Sequence, residues 1–128
     1  MTSLKNTLME SLGIKITLLE KGHVTATMPV DERTRQPFGL LHGGASVALA
    51  ETAASVGAFE LIDQETEAAV GLEINANHIR GVKEGIVTAN ATILHQGKST
   101  MVWDIKITDE HSNLICVSRC TMAVMKRK

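Results

Sequence analysis

The sequence predicts an α+β domain in which a mostly antiparallel sheet wraps one long central helix. Three observations carry this. Residues 68–125 read as four successive strands rich in Val, Ile and Thr, separated by short polar breaks. One long run of small apolar residues, LLHGGASVALAETAASVGAF (40–59), precedes them and suits a buried helix. Strands that follow one another, instead of alternating with helices, belong to α+β and not to parallel α/β architectures.

The elements follow in order. Thr2 or Ser3 can cap a short helix over 2–12, with Leu4, Leu8 and Leu12 as its stripe and Gly13 as its stop. IKITLLE (14–20) and HVTATMPV (23–30) come next, divided by Lys21-Gly22. In the second, Val24, Ala26, Met28 and Val30 alternate with Thr25 and Thr27, the period of a half-buried strand. A polar loop, DERTRQPFG, leads to the long helix, which begins near His42-Gly43-Gly44. Strands at 68–80, 85–96, 100–109 and 113–125 close the chain, with hairpin-like breaks at 82–85, 96–98 and 109–113. No repeat, low-complexity tract or linker interrupts them, and 128 residues suit a single domain, 1–128.

Composition excludes several function classes. The net charge of −1, with no tyrosine, two phenylalanines and one tryptophan, offers nucleic acid neither a basic footprint nor a stacking platform. The N-terminal MTSLKNTLMESLG lacks the apolar core of a signal peptide. A membrane span over 40–59 would bury Glu51 at a cost of about 2.5–3.5 kcal/mol, so no membrane partner is expected. Cys116 and Cys120 lie four apart in an extended segment, about 13 Å and beyond disulfide reach. Two free thiols suit the cytoplasm. The histidines show no zinc-ligand spacing, so neither a metal nor a cofactor is expected.

Glu51 poses the functional question. From Gln36 through Phe59, only His42 and Glu51 can carry charge near neutral pH. On a helical wheel Leu49, Ala53 and Val56 share one face, while Glu51 lies opposite with Val47, Ala54, Ser55 and Ala58. The larger apolar side chains mark the sheet side, and the acid's face reads as a cleft wall. Ser55, four residues on, can reach anything held by Glu51. Such an acid either pairs with an Arg or Lys from a strand or performs chemistry. Glycines at the helix start favour chemistry, since a ligand can approach that backbone and the unsatisfied N–H groups can polarise a carbonyl. Gly43 and Glu51 are about 12 Å apart along the helix, too far for one carbonyl to touch both. A twofold dimer with antiparallel helices solves this, each helix start facing the partner's acid.

QPFGLLHGGASVALAETAAS followed by VGLEINANHIR closely resembles the hotdog-fold acyl-CoA thioesterases. The resemblance covers most of the chain and points to the branch with the glutamate-type 4-hydroxybenzoyl-CoA and 1,4-dihydroxy-2-naphthoyl-CoA thioesterases. It implies a homodimer with shared sites, commonly a homotetramer, acting on an acyl-CoA. By position, Glu51 would act as nucleophile or general base, and the Gly43 N–H would polarise the thioester carbonyl. Gln36 and His42 would orient that carbonyl from the opposing subunit, and Ser55 would help place water. His78 and Arg80, with Gly97, Lys98 and Ser99, fall where the family contacts CoA; Val47, Ala54, Ala58 and Phe59 would line the acyl pocket. Aryl-CoA, including the naphthoyl-CoA of menaquinone synthesis, is the first expectation. Broad-range acyl-CoA and aryl carrier-protein thioesters come second. A hotdog dehydratase is disfavoured because its His-Phe-Pro element is missing, and a non-catalytic acyl-CoA binder would not need Glu51.

Overall fold

In the computed structural model, which describes residues 4–128, alternation in sequence becomes alternation in burial. Along β2 (His23–Val30), Val24, Ala26, Met28 and Val30 are buried and the residues between them only half so. This strand pairs with β1 (Lys15–Glu20) across the Lys21-Gly22 turn, where Gly22 takes a left-handed φ of 85°. The remaining strands are β3 (Glu67–His78), β4 (Gly85–Gln96), β5 (Thr100–Thr108) and β6 (Leu114–Lys126). All six form one antiparallel sheet in the order β1-β2-β4-β5-β6-β3.

The helix α2 (Gly43–Leu61) lies across this sheet, with Leu49, Ala50, Ala53, Ala54 and Ala58 fully buried in the common core. Small residues let the backbone approach closely. At Gly57 a Cβ would stand 2.5 Å from the ring of Trp103, itself fully buried on β5. No helix among the described residues is long and apolar enough to cross a membrane.

Three expectations need correction. The first helix, α1, is Leu8–Leu12, capped by Thr7. Asn6 adopts a left-handed φ of 61°, which no helix continues through, so Leu4 is not part of the stripe; Thr2 and Ser3 lie outside the described residues. The break at 82–85 is not a hairpin. β3 pairs with β6 and β4 with β2, so residues 79–84 carry the chain between opposite parts of the sheet. Ala54 and Ala58 are fully buried, not cleft-lining, because the sheet curls further around α2 than the wheel implied.

Candidate active site

The loop before α2 is fixed by its own polar groups. Thr34, buried, accepts from the Asp31 N–H at 3.0 Å and donates to Pro29 O at 2.8 Å. The Arg33 guanidinium beside Asp31 holds that carboxyl below its ordinary range. His42 N–H donates to Thr34 O at 2.7 Å and Leu41 N–H to Val82 O at 2.8 Å, which set the entry to the helix. Gln36 uses its side-chain oxygen to accept from the Phe38 and Leu40 N–H groups. Its NH2 end is left as the donor available to a ligand.

At the helix start His42 is the N-cap, and its Nδ1 accepts from the Gly44 N–H at 2.7 Å. That bond requires Nδ1 to be unprotonated, leaving any ring proton on Nε2. Ala45 and Ser46 N–H groups donate to His42 O. The Gly43 N–H is the one of these four with no partner among the described residues. It carries the positive end of the helix dipole toward an open cleft. The His78 ring closes on Gly43 from β3, its Nε2 2.8 Å from where a Cβ would stand. Any larger residue at 43 would displace it.

Gln36, Gly43, His78 and Arg80 line one cleft of about 300 Å³, together with Leu40 and Ile115. Ser46, one turn into α2, also lines it; nothing in the sequence singled it out beyond its i+3 spacing from Gly43. His42 faces a neighbouring groove with Gly44, Ala48 and Arg35.

Glu51 lies further along α2, half-buried on a stripe with Val47, Ala48, Thr52, Ser55 and Phe59, the side of the helix the sheet leaves uncovered. Its carboxylate makes no ion pair and no hydrogen bond among the described residues, so it is not the salt-bridge partner of a strand cation. It rests on β3, where a Cβ placed on Gly71 would run into Glu51 Oε2. The Ser55 hydroxyl is 3.9 Å from Met122 Sδ, a weak contact that leaves it able to bond elsewhere. Cys120 faces the same region. Burial pushes its thiol up to about 12, with the Glu51 and Glu73 carboxylates adding to the rise.

Gly97 and Lys98 lie elsewhere, in a cleft of about 380 Å³ beside Leu61 and Ile62 at the far end of α2. Ser99 is tied down next to them, its carbonyl accepting from the Val124 N–H at 2.8 Å. Within one chain they are therefore not assembled with His78 and Arg80, because the β4–β5 turn falls at the opposite end of the helix. Val47 and Phe59 line none of these clefts.

The thioesterase superfamily model matches residues 38–116, from the loop before α2 into β6. The chain belongs to that superfamily. This thioesterase is 54% identical over 121 residues to the 1,4-dihydroxy-2-naphthoyl-CoA hydrolase of Listeria monocytogenes, covering 94% of this chain and 98% of that one. It is 60% identical over 124 residues to ComA2 of Bacillus subtilis, which carries only a general esterase name, covering 97% and 98%. A crystal structure of a variant of the Pseudomonas aeruginosa thioesterase PA1618 superposes with a TM-score of 0.95 at 46% identity, covering 97% of this chain and 89% of that one. The fold is thus the hotdog fold that the motifs implied, and the chain is a thioester hydrolase.

Proposed function

We propose that this thioesterase hydrolyses aryl-CoA thioesters, 1,4-dihydroxy-2-naphthoyl-CoA or a similar ester, with Glu51 as the reacting carboxylate. The observation that carries the reading is Glu51 itself: a half-buried acid without a partner among the described residues, held on the uncovered face of a helix built mostly from small apolar residues. A carboxylate there can attack the carbonyl carbon and expel the CoA thiolate, leaving an anhydride for water to cleave. Alternatively it takes a proton from the attacking water. Both routes develop an oxyanion, which the Gly43 N–H, unpartnered among the described residues, is suited to stabilise. Gln36 offers its amide donor beside it, and Ser55 stands one turn from Glu51.

One chain divides this equipment along α2, and a second copy reunites it. With helices antiparallel across a twofold axis, the helix start of one subunit lies near Glu51 of the other. The Gly97–Ser99 turn, at the far end of α2, moves toward the partner's His78 and Arg80. Support comes from the sheet edge: β3 is twelve residues long, pairs among the described residues only with β6, and carries exposed Val70 and Leu72. Unpaired edges of this length invite a partner strand. A dimer of such dimers is the further assembly the family resemblance implies.

The substrate class follows the naphthoyl-CoA hydrolase relative. A second class deserves a place in the test, since a 49% identical relative from Cronobacter turicensis is named the proofreading thioesterase EntH. Clearing wrong thioesters would suit aryl groups on carrier proteins. The experiment is thiol release from benzoyl-, hydroxynaphthoyl-, hexanoyl- and lauroyl-CoA. We expect kcat/KM on the best aryl-CoA to exceed the alkyl esters by at least about tenfold. Preference for lauroyl-CoA would overturn the aryl assignment. Silence on all four, with turnover of an aryl carrier protein, would move the substrate to the second class.

A further inference from the structure

Residue 71 is a glycine for a reason its own backbone does not supply. Gly13, Gly22, Gly39 and Gly85 have positive φ, but Gly71 does not, so alanine would be conformationally acceptable there. A glycine inside a strand weakens it, and its usual reason is close approach by another group. That group is Glu51. A Cβ on Gly71 would overlap Oε2 and lie 3.3 Å from Cδ.

Strand phase gives an independent observation. Gly71 opposes Met122 and Glu73 opposes Thr121, which leaves Leu72 as an extra residue in β3. Gly71 and His78 are seven positions apart, and an uninterrupted strand would point them to opposite faces. Both nevertheless meet α2, Gly71 under Glu51 and His78 against Gly43. The bulge at Leu72 restores the phase, as a single inserted residue does.

We propose that Gly71, together with the bulge at Leu72, is a positioning element for the thioesterase reaction, setting where the Glu51 carboxylate stands. It acts through Glu51 and makes no contact with the thioester. Glu51 has no ion pair or hydrogen bond among the described residues to fix its rotamer, so the room that Gly71 leaves on β3 decides where its carboxylate can stand. The inference rests on Glu51 being the reacting carboxylate.

The test combines Gly71→Ala with three changes at Glu51, read by thiol release and by thermal melting. Gly71→Ala alone should lower kcat about a hundredfold with KM near wild type, the order expected for an ångström-scale misplacement of a reacting group. In the Glu51→Asp background the shorter side chain leaves room for the methyl, and the same substitution should cost less than about threefold. An equal loss in both backgrounds, or none in either, overturns the inference. If Gly71→Ala alone does not fold, Glu51→Ala/Gly71→Ala decides. A double variant that folds like Glu51→Ala supports the steric seat, and one that also fails to fold overturns it. Full activity in Glu51→Gln would instead remove the underlying reading of Glu51.

Discussion

Gly57 and Gly71 each lack a side chain because a neighbour's side chain fills the space, yet the two contacts serve different ends. At Gly57 the neighbour is Trp103, fully buried, and the contact seals α2 to the sheet. At Gly71 it is the Glu51 carboxylate, on the side of α2 that the sheet leaves uncovered. One close approach excludes everything, whereas the other holds a charged group where a ligand or a second subunit can reach it. On the proposed function, the same small-residue helix provides stability on one side and the reacting carboxylate on the other.

Filling the sealed contact gives the largest expected change in stability. Gly57→Val must push Trp103 out of a close-packed core, and overpacking of this kind costs about 1–3 kcal/mol. For a domain of this size that is a drop of several degrees in melting temperature, measurable by calorimetry. An unchanged melting temperature would mean that the Trp103 side is as loosely packed as the Glu51 side, and the contrast would fail.

A smaller effect sharpens the boundary between the two sides. Cys116 and Cys120 are free and fully buried, and burial raises both thiols. Neither should label with a thiol-reactive dye at pH 8 until the chain is denatured. The sign of the pH dependence follows. The Cys120 thiol, ordinarily near 9, is held up to about 12 in the folded chain, so the folded state keeps its proton longer. Its contribution to stability is complete below pH 9 and is lost as pH rises toward 12, so the melting temperature should fall across that window. Rapid labelling of the native protein would show that water enters the sheet side beneath Glu51.

Much of this was legible in the sequence. β2 and β4 have the ends the alternation assigns, and the glycine pair marks the start of α2, because local patterns fix local structure. The lone charge of Glu51 was equally plain. Sheet order was not legible, since pairing β3 with β6 instead of β4 depends on contacts between residues about fifty positions apart. Asn6 hid the true start of α1, its left-handed backbone being invisible in a run that otherwise suits a helix. Ala54 and Ala58 were misplaced because an alanine stripe carries no signal of how far a sheet will wrap. Gly71 did leave a trace, a lone glycine in the strand VGLEI, but what it made room for required the fold.

The most direct measurement is Glu51→Gln, assayed for thiol release on the best acyl-CoA and for thermal melting in the same buffer. The account predicts a loss of at least about a hundredfold in kcat, of the order expected for a key catalytic group. It also predicts a melting temperature within about 3 °C of wild type, because the carboxylate lies outside the sealed core. Wild-type turnover, or a melting temperature that collapses together with the activity, would show that Glu51 belongs to the structure and not to the chemistry.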